Sequence, residues 1–368
     1  MRCWHRDLER INLQGNRFPT VVYLLDNPFA KPKPLPLSIP SPRATINYKA
    51  NPSRLCQNES AMSFVLGIDG GGSKCTAAVA DGRTLLGSHT AGGCNLNAVS
   101  SESARTALAE AVGGALSSTG ISATSVTSVC AGVAGAAAPE VAARITGFLA
   151  ELLPCAAIQV VPDATITLEA AFPGGPGVVC ISGTGSVAFG RNARGECARA
   201  GGWGRMVSDE GSGHWIGQRA VSQCLRALDM GRSSRLIAGI MEHWRVVTRE
   251  HLVQRCHRAP IPDFADLFPV VLSAAESGDP LATEILTAAG TELARIAQVV
   301  LRRLWVSRGR VEVMLTGGVF LNSDRVLQAF GNVIRSDRPE VHVQLSERQA
   351  FEGALYLAQH ALAGSAAD

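Results

Sequence analysis

No apolar run in this sequence approaches the ~18 residues that a membrane-spanning helix needs. The beginning shows no secretory signal either, because Met1–Asp7 leads into charged residues rather than an apolar run with a cleavage site. Cysteine pairs at metal or redox spacing are missing. The ten cysteines (3, 56, 75, 94, 130, 155, 180, 197, 224 and 256) contain no C-x-x-C or C-x-C. That scatter fits reduced, mostly buried thiols of a cytoplasmic protein, not a disulfide framework or a zinc site. Gly-Lys never occurs, so there is no Walker A loop. A basic body is also absent: the net charge is +3, but residues 1–61 carry +5 and the remainder −2. Nothing in that balance points to nucleic acid.

What the sequence does hold is apolar side chain and glycine. Hydrophobic residues make up 46% of 368, enough for a large core and for two domains at ~100–200 residues each. The 38 glycines follow no fixed period and gather in loops. Residues 1–61 read as a disordered leader. Six prolines between Asn27 and Pro42 forbid helix and central strand. Periodicity starts at Ser63, which points to Met62 as the natural start of the protein.

From there strands and helices alternate. Phe64–Ile68, Cys75–Ala80 and Thr84–Thr90 read as a three-strand meander. Glu102–Leu116 and Pro139–Leu152 have helical spacing, with strands at Val126–Ala131 and Ile158–Val161. Val178–Ser182 and Val187–Arg191 begin a second strand-turn-strand unit with a hairpin at Ala193–Gly195. A helix is expected from Asp209 to about Met230, helical segments over 233–306, and a strand at Glu312–Leu315. The fold class is α/β.

Three apolar strands end in small-residue turns: Asp69-Gly-Gly-Gly-Ser73, Ser182-Gly-Thr-Gly-Ser186 and Leu315-Thr-Gly-Gly-Val319. Glycine lets backbone approach a ligand, successive N–H groups form an anion cradle, and Ser or Thr adds a hydroxyl. A tight hairpin explains any one of them; three at strand ends favour a phosphate clamp. Gly183–Ala188 matches G-x-G-x-x-[GA], but a strand follows where a dinucleotide fingerprint needs a helix. Asp69 is either a turn residue or a carboxylate that orients Mg²⁺ through water. Asp163 is either the N-cap of the helix Ala164–Ala171 or a base at a cleft mouth. The glycine-rich segment 200–215 looks like the lining of a site. Trp203 there is an anchor or a sugar-contacting surface, and Asp209 caps a helix or accepts sugar hydroxyls.

The strings Gly67–Thr76, Gly93–Asn97, Ala131–Gly135, Val161–Ala164, Ile181–Ser186 and Gly201–Gly213 occur in the order seen in the BadF/BadG/BcrA/BcrD ATPase family. The chain resembles that family over about Ser63–Gln359, and within it the N-acetylglucosamine kinases. The resemblance implies a two-lobed actin-like, hexokinase-like ATPase fold with ribonuclease H-like lobes. One lobe would span 62–176, completed by a C-terminal helix at 348–368, and the other 177–347. It implies ATP, Mg²⁺ and an amino sugar as partners, and a homodimer. It carries the catalytic carboxylate onto Asp163 and sugar binding onto Asn95, Ser186, Val187, Gly202, Trp203, Gly204 and Asp209. ATP contacts fall on Gly71, Gly72, Ser73, Gly183, Thr184 and Gly185, with Gly317 and Gly318 near adenosine. Val187 stands where family members often carry a polar residue, so only its backbone could meet the sugar. The expected function is phosphorylation of N-acetylglucosamine at O6. Glucosamine as substrate, a sugar or nucleotide sensor, and a dehydratase activase are the alternatives. The activase lacks its cysteine pattern around Cys130, and a regulator would need a DNA-binding domain.

Overall fold

Two sheets carry the fold, and they share one strand plan. The computed structural model describes residues 46–48, 63–82, 84–258, 262–306 and 309–365. The first sheet contains β1 (Ile46–Tyr48), β2 (Phe64–Gly70), β3 (Lys74–Asp81), β4 (Thr84–Gly92), β5 (Val126–Val133) and β6 (Ala157–Pro162), in the order β1-β6-β5-β2-β3-β4. The second contains β7 (Gly177–Ser182), β8 (Ser186–Arg191), β9 (Cys197–Gly201), β10 (Val311–Thr316) and β11 (Val341–Leu345), in the order β11-β10-β7-β8-β9. In each, an antiparallel meander continues into two parallel strands. The two halves therefore repeat in topology although their sequences align poorly.

Helices fill the connections. In the first half these are α1 (Ser101–Thr119), α2 (Pro139–Leu152) and α3 (Asp163–Ala171). The second half holds α4 (Gly213–Asp229), α5 (Arg235–His243), α6 (Arg249–His257), α7 (Phe268–Glu276), α8 (Pro280–Leu304), α9 (Gly318–Asn322) and α10 (Asp324–Asp337). The last helix, α11 (Ala350–Ser365), returns to pack on β2, β5 and α3. Glycine permits that return. A Cβ on Gly353 would stand 1.9 Å from the Ile166 carbonyl oxygen of α3.

Each sheet has its own core, and α3 joins them. Leu66, Ile68, Leu108, Ile145 and Leu149 centre the first, and α8 lays Leu286, Leu293 and Leu301 into the second. Ala164 and Leu168 of α3 pack with Val179, Val187 and Phe189 of β7 and β8. Behind them the buried Glu169 carboxylate pairs with Arg191 of β8. Arg191 also donates to the Phe172 and Gly175 carbonyls (3.2 and 2.8 Å), on the connection between the halves.

Several expectations change. The leader lies outside the described residues except for Ile46–Tyr48, which pairs antiparallel with β6 where no strand was expected. Met62 also lies outside them. α4 starts at Gly213 rather than Asp209, because Asp209 and Gly211 hold left-handed backbone (φ 68° and 79°) and Ser212 is the cap. β11 and α10 have no counterpart in the sequence reading. Seven described cysteines are free, but Cys155 is disulfide-bonded, against the expectation of reduced thiols.

Candidate active site

The turn between β2 and β3 closes through Gly71 N–H donating to the Lys74 carbonyl (2.8 Å). The Gly71 carbonyl then accepts from Cys94 and Asn95 N–H (3.0 and 3.2 Å). Asn95 is thus fixed beside the first glycine turn. Its amide oxygen accepts from Asn97 N–H (2.9 Å), which leaves the amide nitrogen to donate to a ligand.

The β7–β8 turn is built the same way, with Gly183 N–H on the Gly185 carbonyl (2.9 Å). The Ser182 and Ser186 hydroxyls donate to the Gly211 and Glu210 carbonyls (3.0 and 2.8 Å). Ser186 therefore ties the glycine-rich segment to β8. The first residue of α4 reaches the turn too, Gly213 N–H donating to the Gly183 carbonyl (2.8 Å). Gly317 brings up the third turn. Its φ is 99°, and a Cβ there would lie 2.3 Å from the Ser182 carbonyl oxygen, so only glycine fits. Gly318 follows as the first residue of α9.

The first two turns meet across the halves: Ser73 Oγ lies 3.2 Å from Thr184 Oγ1. Two carboxylates, Asp69 near the end of β2 and Asp163 at the start of α3, act on each other electrostatically. Burial first and the Asp163 charge second push the Asp69 carboxyl up to about 6, against the opposing charge of Lys74. Asp163 is raised by burial and eased down by Ala164 N–H and the charge of Arg199. It is not the N-cap of α3. That position belongs to Pro162, and Asp163 is the first helical residue, accepting from Ala164 N–H (2.9 Å). Asp209 is not a cap either. It accepts from Gly204 N–H (3.3 Å) and Ser186 N–H, and burial raises its carboxyl. Val187 is 9% exposed, and its side chain packs in the cluster with Ala164 and Leu168 of α3. Trp203 is 65% exposed, with the Arg199 guanidinium 4.9 Å above its ring centre. Gly202 and Gly204 flank it in left-handed backbone.

Sequence reasoning missed Arg199 and left Lys74 aside. It also placed no contact near Asp263, whose carboxylate lies 3.3 Å from the buried His214 imidazole and is lowered by it. Arg199 sits in a hairpin strand outside every glycine motif, so only the fold reveals it.

The model of the BadF/BadG/BcrA/BcrD ATPase family matches residues 66–358. The chain belongs to this family. A relative in Clostridium acetobutylicum, an N-acetylmuramic acid/N-acetylglucosamine kinase, is 31% identical over 81% of this chain and 99% of its own. A glucosamine kinase of Vibrio cholerae is 30% identical over 64% of this chain and 80% of its own. A solved structure from Chromobacterium violaceum superposes with a TM-score of 0.65 at 25% identity, over 81% of this chain and 99% of that one. The fold is the two-lobed actin-like ATPase fold. Among the described residues no helix of this BadF/BadG/BcrA/BcrD family member is long and apolar enough to cross a membrane.

Proposed function

We propose that this chain transfers the γ-phosphoryl group of ATP to O6 of N-acetylglucosamine, with Asp163 as the general base. The chain is an ATP-dependent sugar kinase. The observation that carries the finer reading is the meeting of Ser73 and Thr184 at 3.2 Å, together with Asp163, a carboxylate not used as a helix cap whose charge acts on Asp69 at the end of the first glycine strand. The glycine turns at 71–73, 183–185 and 317–318 suit the nucleotide, the first two cradling its phosphates. Asp163 accepts the proton of the 6-hydroxyl as that oxygen attacks phosphorus, and ADP leaves. Its raised affinity for protons strengthens it as a base at neutral pH. Asn95 donates to a sugar oxygen, and the buried Asp209 carboxylate accepts from sugar hydroxyls.

Asp69 fits Mg²⁺ held through water, since it is a half-buried carboxylate next to the phosphate turn. The ion would supply charge neutralisation at the β- and γ-phosphates. The lobe limits 62–176 with 348–368, and 177–347, belong to the same proposal. The return of α11 onto the first sheet supports them.

Glucosamine is the competing substrate, favoured by the Vibrio relative. The ammonium of glucosamine would be drawn by Asp163, Asp209 and Glu210 and opposed by the Arg199 cation, so charge alone does not choose between the two sugars. An acetamido group carries no such charge, and Trp203 offers it an apolar wall. The test is ADP release with a panel of amino sugars, reading kcat/KM for the two sugars on one preparation. No sugar-stimulated ADP with any of them refutes the reading. A tenfold preference for glucosamine, about 1.4 kcal/mol, overturns the substrate but keeps the kinase.

A further inference from the structure

We propose that Arg199 is a positioning residue for the sugar, a clamp that holds the turn at Gly201–Gly202 and the indole of Trp203 in one arrangement. The inference rests on the amino-sugar reading above. Arg199 lies on β9 opposite Phe189 of β8. Its Nε donates to the Gly201 carbonyl (3.2 Å), and its Nη2 donates to the Gly202 carbonyl. Both glycines hold left-handed backbone at φ 71°. Glycine takes up left-handed backbone without strain but is equally free to leave it, so the shape of this turn has to be held from outside. Here both of their carbonyls end on one guanidinium. The same group covers the Trp203 ring at 4.9 Å. Burial does not fix that indole, and the residues after it, Met206 and Val207, are 82% and 77% exposed. Ser186 and Asp209 hold the later part of the segment, and the arginine holds its start at Gly201–Trp203.

The arginine is itself anchored. Its carbonyl accepts from Nη1 of Arg303 on α8 (3.0 Å), which ties the strand end to the long helix of the second core. Its charge reaches Asp163 of α3 and Asp209 of the segment. The other charged groups around these two are Asp69 and Lys74 on the first sheet and Glu210 beside Asp209. A planar fork can bond two carbonyls and stack on an indole at once, and a lysine ammonium cannot. Arg199 therefore presets the residues expected to line the sugar, Gly202, Trp203, Gly204 and Asp209. Its side-chain hydrogen bonds and ring contact among the described residues go to Gly201, Gly202 and Trp203, none of which is expected at the nucleotide.

The test compares wild type with Arg199→Met and Arg199→Lys, with Trp203→Ala as a third variant should the methionine form fail to fold. Thermal melts first establish that each variant is folded. KM is then measured separately for N-acetylglucosamine and for ATP. In a sugar-free digest, trypsin cleavage after the exposed Arg205 is followed by mass spectrometry. The expected result is a sugar KM raised about tenfold in both Arg199 variants, with the ATP KM within twofold of wild type. Cleavage after Arg205 becomes at least fivefold faster. A lysine variant with wild-type sugar KM and cleavage rate overturns the clamp. So does an ATP KM that rises as much as the sugar KM, since that is a general structural defect. If no amino sugar stimulates ADP release in the wild type, the kinase reading fails by itself, and cleavage after Arg205 alone decides the clamp.

Discussion

Asp163 and Asp69 are both carboxylates raised by burial, yet they ask for different experiments. Asp163 is expected to take a proton, so Asp163→Ala should lower turnover by ~10²–10⁴ while the thermal melt stays near wild type. A folded variant with wild-type turnover would remove it as the base. The acid limb of kcat/KM in the wild type should lie above the ordinary carboxylate range of about 4. For Asp69 the folded value of about 6 exceeds the ordinary 3.8. Between those values the folded chain keeps a proton that the unfolded chain has released, so stability falls as pH rises from about 4 to 6. Asp69→Asn removes the penalty. It should raise stability at pH 7.5 by at most roughly 3 kcal/mol and give no gain at pH 4, while abolishing turnover. Melting curves at the two pH values check this. An asparagine variant less stable at pH 7.5 would show that the attraction of Lys74 outweighs burial.

Elements near the site are held by polar groups as much as by packing. The Glu169–Arg191 pair fixes α3, which begins with Asp163, against β8, which begins with Ser186 and Val187. Removing one partner strands the other charge in a buried place. Glu169→Ala should therefore cost about 3–5 kcal/mol in a denaturant melt. Replacing both by apolar residues of similar size should cost far less, and equal losses would show that the pair is not energetically coupled. How far the elements could be read in advance followed local chemistry. α2 runs from Pro139 to Leu152 as expected, because proline at its first turn and the period of its apolar residues agree. α4 was placed four residues early, because Ser208–Glu210 looks like a cap and only the left-handed Asp209 and Gly211 reveal the delay. The glycine turns were legible because each follows an apolar strand. Arg199 was not, because Asp163 comes near it only in the fold and no local motif marks its bonds to the Gly201 and Gly202 carbonyls.

At the scale of the whole molecule, two copies of one sheet plan face each other through α3, and the first copy depends on the last helix. Val65, Ala78, Ala80, Cys130, Val161 and Ile166 form a core with Ala354, Leu355 and Ala358 of α11. Ser128 Oγ donates to the Ala358 carbonyl (2.8 Å) within it. A chain stopped after residue 347 should lose this cluster and yield little soluble protein. A truncated chain with a wild-type melt and ATP binding would contradict that role. The same arrangement has a consequence for synthesis. A growing chain leaves the ribosome with β2 to α3 long before α11 exists, so the first sheet must wait with one face bare. The second half emerges during that wait and can build its own core. The closing step comes only once α11 has left the ribosome and swings back onto β2, β5 and α3. Anything fused close behind α11 has to leave that path open.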